Sequence, residues 1–262
     1  MPLVQTLLYY IPNLLLGTII VGLSVAFSVG GLFLIRRFIP IHKLKLHNDV
    51  AGIIFTTLGV IYAVLLAFMV VVSWQNYDKS SVNVANEANC IESLYRDAAG
   101  LGPVYRDQIR SALNVYAIEI IEDEWPLLKK GGRSQKVQDA SEKLWSLYTS
   151  YQPVNKNQDI FLAESVQKLN KAAELRRQRI IDANTGIHSV LWFVLVIGGM
   201  ITILFTLFFG TENFGAQLIM TSMLSMLIGL ILFTIMGMDY PFTGNVSIQP
   251  VVFRQLLIHF KL

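Results

Sequence analysis

The stretch from His47 to Trp74, HNDVAGIIFTTLGVIYAVLLAFMVVVSW, constrains the chain most, because Val50 to Trp74 runs 25 residues without a charge. About 20 apolar residues, at about 1.5 Å rise each, cross a hydrocarbon core of about 30 Å. A transmembrane helix is therefore predicted over residues 50–74, with His47, Asn48 and Asp49 as a polar mouth. Gly52, Thr56, Gly59, Ala63 and Ala67 recur every three or four residues and share one face, where another helix can approach closely. Ile54, Leu58, Ile61 and Leu65, with Phe68, make a second, bulky face. A helix with two such faces belongs among other helices rather than alone in lipid.

Three more apolar runs have spanning length, at 11–35, 188–209 and 216–238. The first lacks the basic start of a secretory signal and is longer than its apolar region, so it reads as a retained span. The composition agrees: 53% hydrophobic and 15% charged residues in 262, with a mean hydropathy of +0.51, belong to the membrane class. A dispersed net charge of +3 gives nucleic acid no basic patch to bind. The single cysteine, Cys90, excludes an intramolecular disulfide.

Between the two hydrophobic pairs lies a polar segment, 75–187, whose 15 basic and 15 acidic residues cancel. Its apolar residues repeat with helical spacing: Val84, Ala88, Ile91 and Tyr95, then Tyr105, Ile109, Ala112 and Tyr116, then Val137, Ala140, Leu144 and Leu147, then Leu162, Val166 and Leu169. Gly100, Gly102 and Pro103 stop the first stripe, and Trp125 with Pro126 stops the second. No alternating strand run occurs. The predicted fold is an all-α integral membrane protein: four transmembrane helices, a helical extramembrane domain between the second and third, and a polar C-terminal tail over 239–262.

Orientation is balanced on charge. Arg36, Arg37, Lys43 and Lys45 in the first loop place that loop in the cytoplasm, whereas Lys79, Lys171, Arg176, Arg177 and Arg179 beside the spans place the domain there. One helix separates the two regions, so both cannot hold.

Candidate chemistry is sparse. His47 and Asp49 read either as a proton or ion relay at a helix mouth or as headgroup-level caps. Glu122, Asp123 and Glu124 occupy consecutive helical positions about 100° apart, so they do not converge on a metal and read as a solvated acidic turn. Asp239 ends the fourth span beside Pro241, Phe242 and Gly244. No nucleotide loop, zinc spacing or nucleophile motif is present, so neither an enzyme nor a cofactor is expected.

The order of spans and domain resembles the bestrophin channels. FTTLG at Phe55 to Gly59, Phe68 nine residues after Gly59, and YDK at Tyr77 to Lys79 are similar to motifs of the bestrophin second helix. Phe68 and Tyr77 stand about three residues further apart than in those channels, almost a helical turn. The tail DYPFTG is similar to the Pro-Phe-Gly stretch after the last bestrophin span. HNDVAGIIF, EDEWP at Glu122 to Pro126 and DYPFTG together are similar to a bacterial bestrophin-like membrane family over nearly the whole chain.

That resemblance implies a homopentamer in the bacterial inner membrane, a second helix lining an axial pore, and a cytoplasmic helical domain. It also implies an inorganic ion as the transported species, with a leaning to anions, and membrane lipid as the surroundings. Bulky apolar rings constrict and dewet a pore, so Ile54, Leu58, Ile61 and Leu65 read either as the expected neck or as a stripe in contact with lipid or other helices. In bestrophins an acidic cluster after Pro-Phe-Gly helps clasp calcium; Asn245 to Pro250 contains no acid. The alternative from another class is a non-conducting sensor or scaffold whose helical domain binds a protein. A secondary transporter is a weaker third reading, since the two hydrophobic pairs share no evident repeat.

Overall fold

The computed structural model describes residues 2–260 and divides into two compact units. In chain order the helices are α1 (Leu3–Tyr10), α2 (Asn13–Phe38), α3 (Ile41–Lys45), α4 (Asn48–Asp97), α5 (Pro103–Glu119), α6 (Trp125–Leu128), α7 (Gln135–Ser150), α8 (Lys156–Asp182), α9 (Ser189–Leu207), α10 (Phe214–Asp239) and α11 (Val251–His259). No strand occurs among the described residues. The last two residues of the 239–262 tail lie outside them.

The first unit, Tyr10–Asn76 with Gly186–Asp239, contains α2, α3, the start of α4, α9 and α10. Among the described residues four helices, α2, α4, α9 and α10, are long and apolar enough to cross a membrane. Here α2 packs most closely on α10, through small residues: a Cβ on Gly229 would stand 3.0 Å from Ser24 Oγ and 3.2 Å from Val21 Cα. Such close backbone approach replaces the hydrophobic driving force that lipid does not supply. Tyr62 of α4 lies against Gly198 and Gly199 of α9 and donates its hydroxyl to the Leu195 carbonyl at 2.9 Å.

The second unit holds residues up to Tyr9, Tyr77–Thr185 and Tyr240 onward. Its core is built from one stripe of each helix, including Ile91, Leu94, Ile109, Leu113, Leu144 and Tyr148, all nearly inaccessible. Each such side chain removed from water contributes about 1.5–3 kcal/mol. The helix ends follow local chemistry. After α4 a 3₁₀ turn, Ala98–Leu101, ends at Gly102 (φ 91°), a left-handed position suited to glycine, and Pro103 opens α5. Ser134 Oγ accepts from the Val137 amide and Asn155 Oδ1 from the Gln158 amide, capping α7 and α8.

Candidate functional site

Helix α4 has a packed side and an open side. In the membrane unit Tyr62, Leu66, Met69 and Ser73 are buried, whereas Val60, Val64, Phe68 and Val71, on the opposite side of the helix, are each at least 50% exposed. The expected neck residues lie about a quarter turn from that open stripe. Ile54 and Ile61 are exposed, but Leu58 and Leu65 are half-buried, and Leu65 packs on the unit's core. Together with Val194, Gly198 and Ile201 of α9 they line an apolar groove of about 530 Å³. The small face of α4, Gly59, Ala63 and Ala67, lines a second groove of about 580 Å³ with Leu227 and Ile231 of α10.

The polar mouth divides. Asn48 is pinned by two 2.9 Å bonds, its Nδ2 donating to the Gly210 carbonyl and its Oδ1 accepting from the Gly210 amide. Residue 210 must be small, since a Cβ there would meet Lys45 N at 2.6 Å. His47 and Asp49 are exposed. Asp239 is buried and holds the start of α9, accepting from the Ile187 amide at 2.5 Å and the Trp192 indole at 3.0 Å.

The second unit contains a charged site that the sequence reading missed. Glu87 of α4, Glu124 beside α6, and Arg176 and Arg179 of α8 form a buried ion cluster. Arg179 donates Nε to Glu87 Oε2 at 2.7 Å and Nη2 to both Glu87 Oε1 and Glu124 Oε2 at 2.9 Å. Arg176 donates Nη2 to Glu124 Oε1 at 2.7 Å and Nη1 to Gln138 at 2.9 Å. The Arg179 guanidinium also lies over the Trp125 ring, 5.1 Å from its centroid. Two positive and two negative groups cancel, as buried charges require.

Burial alone pushes the Glu124 carboxyl up, but the charges and hydrogen bonds of Arg179 and Arg176 together hold it below its ordinary value. Both guanidiniums stay charged, burial being outweighed by the carboxylates.

Two expectations are corrected here. Glu122, Asp123 and Glu124, in a π-helical turn over Ile120–Glu124, are not one solvated turn. Glu122 is exposed, Asp123 accepts from Ser134 Oγ, and Glu124 is wholly buried. Arg176 and Arg179 do not count among the free charges flanking the spans, since they are 7% and 0% exposed and neutralised by Glu124 and Glu87. Phase offered a signal for Glu87 and for the two arginines: Glu87 falls in the stripe Val84, Ile91, Leu94, and the arginines fall in the stripe Leu169, Ala172, Ala183. Among the described residues no three His, Cys, Asp or Glu gather as a metal site.

The sequence model of the Bestrophin-like domain matches residues 22–253, most of the chain. The chain belongs to the Bestrophin-like family. A mutant of a bacterial bestrophin homologue from Klebsiella pneumoniae is similar in fold, with TM-score 0.73 at 14% identity, over 93% of this chain and 97% of that one. A second solved membrane protein matches with TM-score 0.69 at 15% identity, over 92% and 95% of the two chains. Comparison with curated protein sequences gives no match.

In this Bestrophin-like protein the EDEWP and DYPFTG motifs meet. Trp125 packs edge-on against Phe242, with centroids 5.8 Å apart, and donates its indole N–H to the Ile248 carbonyl at 3.0 Å. Pro241 accepts from the Ile248 amide, and Gly244 (φ 85°) turns the chain between them. Thr243 Oγ1 donates to the Lys129 carbonyl at 3.0 Å, while Gln5 donates to the Ala183 carbonyl at 3.0 Å and lies 3.4 Å from Thr243 Oγ1. The Pro-Phe-Gly region is thus joined by amide, hydroxyl and carbonyl groups, with Asp239 assigned to the other unit.

Proposed function

We propose that the protein is an oligomeric ion channel of the bestrophin type, with α4 of each subunit facing a common axis. The observation that carries this reading is the open apolar stripe on α4 in a chain of bestrophin fold. Four large or branched side chains in one helix phase, each at least half exposed, are suited to ring a narrow path and dewet it. The open grooves on either side of α4 offer neighbouring subunits places to insert, and a closed ring satisfies all of them at once. A pentamer follows from the family resemblance, as does chloride as the first ion to test.

Two neck placements follow. The stripe expected from sequence is Ile54, Leu58, Ile61 and Leu65; the partial burial of Leu58 and Leu65 favours Val60, Val64 and Phe68 instead. Flux into vesicles loaded with purified protein, under chloride and sodium gradients, tests both. V64A with F68A should raise flux more than I61A with L65A; the reverse order returns the neck to the first stripe. A monomer or dimer by native mass, or no flux from assembled protein, overturns the channel reading.

The compartment proposed is a bacterial inner membrane, with the helical unit cytoplasmic on the strength of the family. Charge does not carry that orientation: with Arg176 and Arg179 buried, four loop cations face three beside the domain. Val154 is 87% exposed, so V154C in a C90S background is the residue to probe. Labelling of intact cells by an impermeant thiol reagent would reverse the orientation.

A second reading is a non-conducting sensor or scaffold. It is favoured by a groove of about 320 Å³ lined by Ile118, Ile121, Leu257 and Ile258, with Glu122 and Arg254 at its edge. Apolar lining with one charge of each sign suits a protein segment.

A further inference from the structure

Within the helical unit, α4 presents Val82, Asn86 and Asn89 to solvent with Ser93 half-exposed, while Ser80, Val84, Glu87, Ile91 and Leu94 are buried. Between Lys79 and Glu92 the ionisable side chains are Glu87, which is buried, and Cys90, which is half-buried. The open face of α4 therefore carries no charge for about three turns. The open face of α8 in the same unit is ordinary by contrast, with Lys156, Asp159, Glu164, Lys171, Glu174 and Arg177 exposed.

Asparagine is a weak choice for a solvated helix face, because its amide competes with the helix for backbone hydrogen bonds. Charged or long side chains would serve solubility better. Asn86, Asn89 and Ser93 form no side-chain hydrogen bond among the described residues. Their amides and hydroxyl are available to something outside the subunit.

We propose that Asn86 and Asn89, flanked by Val82 and Ser93, line the ion path on the domain side of the neck and set its selectivity by hydrogen bonding rather than fixed charge. The inference rests on the channel reading. Val82, Asn86, Asn89 and Ser93 follow one another at spacings of four, three and four, so they share one face of α4 within the helical unit. A carboxamide offers N–H donors to an anion and a carbonyl acceptor to a cation. Rings of such groups replace part of an ion's hydration without concentrating its counter-ion, which gives weak charge discrimination.

The test is the chloride-to-sodium permeability ratio of reconstituted protein. A unit charge about 4 Å from the ion in water-like surroundings corresponds to about a fivefold change. N86D and N89D should each move the ratio toward sodium by about that factor or more, and N86K should move it toward chloride. N170D, on the exposed side of α8, should leave it unchanged. N89C in a C90S background, modified by a cationic thiol reagent after assembly, covers variants that fail to assemble and should move the ratio toward chloride.

If wild-type protein conducts while all the charged substitutions and the modification keep its ratio, the inference is overturned and the channel stands. Failure of assembled wild-type protein to conduct removes both.

Discussion

The membrane unit and the helical unit bury polar groups by different means. In the membrane unit several buried serine and threonine hydroxyls bond within about a turn of their own helix, Ser73 to Met69, Thr202 to Gly198, Thr206 to Ile203 and Thr221 to Gln217, while Tyr62 reaches across to Leu195. In the helical unit the buried polar groups include four full charges brought together from three stretches of chain. Short self-satisfied hydroxyls cost little wherever a helix is placed, so they leave helix contacts to shape and small residues. A buried ion cluster is satisfied in one arrangement only. The comparison teaches that the helical unit is the more exactingly specified of the two, and its core is where a single substitution should cost most.

Removing Arg179 is the sharpest way to break that comparison. R179M leaves Glu87 and part of Glu124 as uncompensated buried charge, and should destabilise the helical unit by about 3–5 kcal/mol. Denaturant unfolding of detergent-solubilised protein measures it. Replacing the partner as well, in R179M with E87L, should recover much of the loss, because the pair rather than either charge is tolerated. A loss below about 1 kcal/mol for R179M would show that water reaches the cluster.

The corresponding change in the membrane unit is smaller. D239A removes the acceptor of the Ile187 amide and the Trp192 indole, and should cost about 1–3 kcal/mol in the same measurement. An effect equal to that of R179M would erase the contrast between the units.

The mildest perturbation is pH. Glu124 has its folded carboxyl below the ordinary value, so the stability it contributes is present above the unfolded carboxylate pKa of about 4.3. That contribution is lost as pH falls through the lower folded value. Melting temperature should therefore fall on acidification below about pH 4.3, less steeply in E124Q. An equal slope in E124Q would assign the acid sensitivity elsewhere.

Much of this could be read before any coordinates. A 25-residue charge-free run, three further apolar runs and stripes at three and four in the polar segment are local properties, and each reports its own helix. HNDVAGIIF, EDEWP and DYPFTG carried the resemblance to the family. The open side of α4 was less legible: an apolar helix in a membrane has bulky residues on several faces, and only packing of Tyr62 and Leu66 against α9 and α10 leaves Val64 and Phe68 uncovered while half-covering Leu65.

The sequence by itself determined the helical class and the number of apolar spans, since length and period are set by neighbours in the chain. Tertiary structure alone decided which charges are solvated. Glu124 sits in an acidic run and Arg176 and Arg179 in a basic one, and each run read locally belongs in water. Their burial depends on partners 52 and 92 residues away, because a charge leaves water only where an opposite charge is already held in reach.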